Sequence, residues 1–155
     1  MSNEFIRERT DLAAVLRWAA REGMQEAAGN HCSLSVSENG SRFLINPDGR
    51  YFSGLRGSDL VLVDLDEHTG ADQANLSAWL LHGQILQRVE NAKCVLHLHP
   101  KYATVLSTLM DSTIYPVDQV GMRFYNRVAT DREYSGMIVD QAEADRLCEV
   151  LSDKN

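Results

Sequence analysis

The segment Cys94-Val95-Leu96-His97-Leu98-His99-Pro100 carries the clearest chemistry in the sequence. Alternate side chains of an extended strand share a face. His97 and His99 are therefore expected to project together, while Leu96 and Leu98 enter the opposite, apolar side. Two neutral imidazoles held close together suit zinc and similar divalent ions. The competing reading of a bare His-x-His is one structural and one surface histidine on an edge strand. Here the strand is strongly apolar and its carboxyl end stops at Pro100. α/β proteins build their sites at such strand ends, which favours the metal. A cation needs at least a third protein ligand. His82 and His31 are the local candidates, though each taken singly reads as a structural or surface residue. His68, beside Glu67 in a polar stretch, reads as solvated.

The elements that must position this pair follow from periodicity and turn chemistry. Apolar residues at Leu12, Val15, Leu16, Ala19 and Met24 predict a helix from about Asp11 to Ala28, capped by Thr10 and broken by Gly29-Asn30. Ser33 to Val36 reads as a strand, Asn39-Gly40 as a hairpin turn and Arg42 to Ile45 as the return strand. Asn46-Pro47-Asp48-Gly49 is a second turn, and Leu60 to Leu65 a further strand. His68 to Asn75 is loop-like, and Ser77 to Val89 is helical. Cys94 to His99 is expected to be a buried strand, followed by a helix from Tyr102 to Met110. Ile114 to Val120 and Arg123 to Val128 read as short extended pieces. Gln141 to Leu151 is an amphipathic helix capped by Asp140. No repeat, linker or low-complexity stretch divides the chain, so residues 1–155 are expected to form one α/β domain.

Composition narrows the function classes. The chain has 155 residues, 44% apolar and 24% charged, as an ordinary globular protein does. Its net charge of -7 argues against nucleic acid as the main partner, because phosphate binding needs clustered Lys and Arg. Met1 to Arg9 mixes charges without an apolar core, unlike a secretory signal, and no apolar run approaches a membrane span. The three cysteines have no Cys-x-x-Cys spacing, so a disulfide framework is not expected and a reducing cytoplasm fits. Cys94 reads as core filler, and Trp18 and Trp79 as core anchors. The strand around Asp64 and Asp66 reads as half-solvated. Arg17, Arg21, Arg123 and Arg127 read as solvent-facing.

Several motifs in fixed order resemble the class II aldolase/adducin family. Gly29-Asn30 with Ser33 is similar to its Gly-Asn-x-Ser segment, and Ile45 to Gly49 to its Thr-Pro-Ser/Thr-Gly loop. Gly57 to Asp64 resembles the strand that follows. Ser77 to His82 leads into Val95-Leu96-His97-Leu98-His99, which resembles Val-x-His-x-His. The match covers about Asp11 to Leu151. The resemblance implies a three-layer α/β/α fold with a central, mainly antiparallel sheet. It implies a divalent metal, usually zinc, held by His97, His99 and a later third histidine. That third ligand would lie beyond Asn155 or be absent. The polar ending Ser152-Asp153-Lys154-Asn155 would ordinarily lead into another strand, so a C-terminally incomplete fold stands beside a natural stop. The resemblance also implies substrate contacts at Asn30, Ser33, Gly49 and Ser77, and a homotetramer acting on a small molecule.

Departures from the family pattern bear on activity. Ala78 stands where the aldolases carry their acid/base glutamate, and a methyl group moves no proton. Asp48 and Leu76 stand where sugar-phosphate aldolases offer hydroxyls. A carboxylate repels phosphate and leucine gives it no hydrogen bond. The surroundings of His82 and His97 resemble the adducin-like branch more than the aldolases. Two functions remain open. One is a metal-dependent lyase on a non-phosphorylated hydroxy-carbonyl compound, with Tyr102, Tyr125 and Asp118 conceivable replacement bases that first read as structural. The other is a non-catalytic binding or assembly domain.

Overall fold

A computed structural model describes residues 4–133 and 136–152. The first helix, α1, spans Ile6–Arg21 rather than starting at Asp11 and reaching Ala28. Phe5 turns the chain into it with φ 58 and ψ 39. Thr10 lies inside the helix, its hydroxyl donating back to the Ile6 carbonyl at 2.7 Å instead of capping. The true stop is Gly23, at φ 68. Its N–H donates to the Ala20 carbonyl at 3.1 Å and that of Met24 to Ala19 at 2.9 Å, the paired bonds of a Schellman ending.

Four strands follow the expected pattern more closely: β1 His31–Ser35, β2 Arg42–Ile45, β3 Val61–Asp64 and β4 Cys94–His97. They form one sheet in the order β3-β2-β1-β4, and each neighbouring pair is antiparallel. The β1–β2 connection contains Gly40 at φ 74, and an added Cβ there would lie 2.1 Å from the Leu86 carbonyl oxygen. Helix α2, Leu76–Arg88, is capped by Asn75, whose Oδ1 accepts from the N–H groups of Ser77 and Ala78. Helices α3, Lys101–Ser107, and α4, Gln141–Ser152, complete the regular structure, with α4 started by Asp140 accepting from the Glu143 N–H at 3.0 Å.

Strand alternation divides the core between two faces. Leu12, Leu16 and Ala19 of α1 pack with Cys32, Leu44, Phe52, Leu55 and Leu60 on one face. Ala78 and Leu86 of α2 pack with Phe43, Ile45, Val61 and Val63 on the other. Helix α4 lies against α2. Each fully buried Leu or Phe contributes about 1.5–3 kcal/mol relative to exposure, so both helices are held by the sheet's alternation. The architecture is the expected α/β fold with an antiparallel sheet between helices.

Four further expectations need correction. Cys94 is exposed and Leu96 is 47% exposed, because β4 pairs only with β1 and forms a sheet edge. Trp18 is 60% exposed on the outer side of α1. Trp79 does pack, half-buried, against the second cluster. The two pieces from Ile114 to Val128 contain no strand among the described residues, only a 3-10 turn at Gly121–Phe124. The predicted helix to Met110 stops at Ser107. Arg17, Arg21, Arg123 and Arg127 are exposed as expected.

Candidate functional site

Antiparallel pairing sets His31 of β1 directly opposite His97 of β4. Directly opposite side chains share a sheet face, and here that is the α2 face. His99 lies two residues beyond His97, past the strand end, and its backbone N–H donates to the Met24 carbonyl at 3.0 Å. This bond draws the end of β4 against the segment that leaves α1. The two imidazoles meet as their spacing predicts: His97 Nε2 and His99 Nε2 are 2.9 Å apart, with rings inclined at 39°.

A chain of side chains stands behind each ring. His99 Nδ1 lies 2.7 Å from Glu26 Oε2. The His97 ring meets the His31 ring nearly edge-on, with centroids 4.3 Å apart and planes at 80°. His31 Nδ1 is 3.0 Å from His82 Nε2, and His82 Nδ1 is 2.8 Å from Ser33 Oγ. His82 and Ser33 are fully buried, and His31 nearly so. Each neutral ring has one donor and one acceptor, so the chain is satisfied in either of two directions. If His82 Nδ1–H donates to Ser33, its Nε2 accepts from His31 Nδ1–H; the reverse set runs from the serine hydroxyl.

Burial governs the charge of this cluster. It pushes the His31 imidazole down to about 3, helped by the neighbouring His97 and opposed by the Asp48 carboxylate. It pushes His82 well below the ordinary histidine range, and lowers His97 with His99 adding to the effect. His31, His82 and His97 are therefore neutral near pH 7, the form in which imidazole offers a lone pair to a metal.

The pair suits a cation in part. Metal–nitrogen bonds of about 2.0–2.1 Å in a tetrahedron place two ligand nitrogens roughly 3.3 Å apart, close to the separation here. Glu26 behind His99 resembles the carboxylate that commonly holds a ligating histidine. Among the described residues, no group of three or more His, Cys, Asp and Glu side chains is arranged to hold a metal.

The other expected site residues are scattered in role. Asn30 is buried, its Oδ1 accepts from the Glu26 N–H at 2.6 Å, and its Nδ2 has no hydrogen-bond partner. Ser33 lies beneath the cluster with its hydroxyl on His82 rather than at a surface. Gly49 is exposed at φ 67 with open space where a Cβ would stand. Ser77 Oγ donates to the Ile138 carbonyl at 2.8 Å. Asn75 Nδ2 donates to Asp48 Oδ1 at 3.1 Å and ties the Asp48-Gly49 turn to α2. Ala78 is fully buried in the core cluster of the α2 face. Tyr102 and Tyr125 are exposed, and Asp118 Oδ1 accepts from the Gly121 N–H at 2.6 Å as a turn former. Read one at a time, His31 and His82 gave no sign of forming a pair, and nothing marked Glu26. The signal available was the period-two placement of His31 and Ser33 on one face of a strand beside His97.

Comparison with known proteins agrees with this architecture. The pattern of the family described as "Class II Aldolase and Adducin N-terminal domain" matches residues 10–155. A 3,4-dihydroxyphthalate decarboxylase of a Terrabacter species is 31% identical over 125 residues, 76% of this chain and 51% of the relative. Alpha-adducin of Rattus norvegicus is 29% identical over 140 residues, 87% of this chain and 19% of the relative. The crystal structure of an aldolase II superfamily protein from Pseudomonas syringae superposes with a TM-score of 0.83 at 30% identity, covering all of this chain and 62% of that one. The chain thus spans about half, or much less, of the curated relatives it matches. On the match across nearly its whole length, the chain belongs to the class II aldolase and adducin family.

Proposed function

We propose that this chain carries the metal-binding part of a carbon–carbon lyase acting on a small, non-phosphorylated hydroxy-carbonyl compound. His97 and His99 are two of its protein ligands, and zinc is the first candidate ion. The observation that carries this reading is the convergence of the two Nε2 atoms at 2.9 Å, beside the buried rings of His31 and His82. When bound, a divalent cation polarises adjacent substrate oxygens and stabilises the negative charge that develops as a carbon–carbon bond breaks. The chain's own residues hold and orient. His99 is fixed by Glu26, and His97 is backed by His31, which the His82–Ser33 pair locks in place. The unpartnered Nδ2 of Asn30 is a buried donor for a substrate oxygen, and the open backbone at Gly49 admits close approach. Ser33 supports the site from behind, its hydroxyl engaged with His82, whereas the Ser77 hydroxyl is engaged by the Ile138 carbonyl.

Two observations support an unphosphorylated substrate. Asp48 lies near enough to His31 to act on its charge, so a phosphate placed beside that turn meets a carboxylate. The Terrabacter relative is named for decarboxylation of a dihydroxyphthalate, a carbon–carbon cleavage of an unphosphorylated compound. Self-association as a tetramer completes the proposal.

A second reading is favoured by Ala78. Its methyl group lies in the apolar core where the aldolases keep their acid/base carboxylate, so a binding or assembly domain without turnover also fits. Metal analysis tests the site directly. Protein equilibrated with zinc should bind it, and the His97→Ala, His99→Ala double variant should not; equal content in both removes the assignment. With the metal saturating, free hydroxy-carbonyl compounds should be cleaved faster than their phosphorylated counterparts. A preference for the phosphorylated ones contradicts the role given to Asp48. No cleavage of any compound selects the binding domain.

A further inference from the structure

The segment between α1 and β1 has no regular structure, yet it is tied down at every side. Gln25 Oε1 accepts from the Phe52 N–H at 2.9 Å, and the Met24 carbonyl accepts from the His99 N–H at 3.0 Å. Asn30 Oδ1 accepts from the Glu26 N–H at 2.6 Å, and the Asn30 carbonyl accepts from Asn46 Nδ2 at 3.2 Å. Asn46 Oδ1 in turn accepts from the Cys32 N–H at 2.8 Å, which anchors the series to β1. Immediately after Glu26, Ala27 adopts φ 49, a conformation that a residue with a Cβ disfavours. Such a conformation persists where the surroundings over-determine it. The result is a carboxylate delivered to His99 from a fixed backbone.

Stability does not account for this arrangement. The side chains of Glu26 and His99 are 67% and 39% exposed, and an exposed pair of this kind contributes little to folding. What the contact does is orient a ring. A carboxylate at Nδ1 favours the tautomer with the proton on Nδ1, which leaves the Nε2 lone pair free.

We propose that Glu26 is the positioning residue of the histidine pair: its carboxylate, carried on a backbone whose N–H Asn30 holds, fixes the His99 imidazole so that an unprotonated Nε2 faces Nε2 of His97. This rests on the metal reading for its purpose, but the geometry of the ring is testable without a metal. The experiment compares the full chain with Glu26→Ala and Glu26→Gln. The His99 tautomer is read by long-range nitrogen–proton NMR in metal-free protein, Co(II) affinity by titration, and the unfolding midpoint by circular dichroism. Wild-type His99 should carry its proton on Nδ1. Glu26→Ala should shift the proton towards Nε2 and weaken Co(II) binding roughly 10- to 100-fold, with the unfolding midpoint unchanged. Glu26→Gln retains an acceptor oxygen and should fall between the two. An unchanged His99 tautomer in Glu26→Ala overturns the proposal, whatever cobalt does. A changed tautomer in a chain whose wild type takes up no cobalt sustains the positioning role and removes the metal assignment instead.

Discussion

The buried histidines make the molecule sensitive to acid in a direction that can be worked out. His31 is pushed down to about 3 from 6.5, and His82 well below 6.5. Both therefore remain neutral in the fold while the unfolded chain takes up protons below about pH 6.5. In that window the unfolded state binds more protons, so stability falls with falling pH. The contribution is complete above about pH 6.5 and is lost progressively towards about pH 3. One such group costs about 1.4 kcal/mol one unit below its unfolded value. Urea unfolding of metal-free protein should therefore show a drop of about 1–3 kcal/mol between pH 7.5 and pH 5.5. His82→Gln should be less stable at the higher pH but lose less on acidification. Parallel pH profiles for the two proteins contradict the role given to His82.

Among the elements, the β1–β2 connection matters most, because it joins the sheet to α2. A side chain at Gly40 would meet backbone atoms of Leu86 and Gln87, which cannot yield as a flexible side chain does. The positive φ adds to the cost. Gly40→Ala should destabilise by about 3 kcal/mol or more, read as a lower midpoint in chemical unfolding with the slope retained. A change below about 0.5 kcal/mol would mean that α2 does not approach this turn as described. The cap of α2 is a smaller version of the same dependence on one residue. Asn75 supplies both the acceptor for the first turn of α2 and the link to Asp48.

The molecule as a whole distributes its apolar residues unevenly. Among the described residues, the buried hydrophobic side chains all lie between Leu12 and Leu86 except Ala144 and Cys148. The span from Tyr102 to Val139 instead exposes Met110, Val117, Val120, Met122, Phe124 and Met137. It is anchored at a few polar points, chiefly Arg146, which grips Asp131 through two bonds of 2.9 and 2.8 Å, and Ser77, which holds Ile138. Large apolar side chains exposed in such number are the material of which interaction faces are made. On the proposal of self-association, light scattering should give a mass that is a multiple of 17.4 kDa. Val117→Asp combined with Met122→Asp should reduce that mass while the circular dichroism spectrum is kept. A wild-type chain that stays monomeric at tens of micromolar defeats the expectation. No helix among the described residues is long and apolar enough to cross a membrane.

The sequence by itself determined whatever depends on near neighbours. A period of two brings His97 and His99 onto one side, and Asn39-Gly40 makes a hairpin between two alternating runs whatever else surrounds them. The end of α1 was also local and legible, in Gly23, but the later Gly29 was the more conspicuous break. Only the tertiary structure decided what β4 lies beside. An edge strand and a central strand carry the same alternation, so Cys94 and Leu96 looked buried until the sheet order exposed them. It alone joined His31 to His82 across 51 residues, and Glu26 to His99 across 73. Such contacts arise from the packing of α2 on the sheet and the return of the chain past α1, and no local pattern encodes them. Their physical basis is the requirement that buried polar groups find partners, which acts on whatever folding brings together.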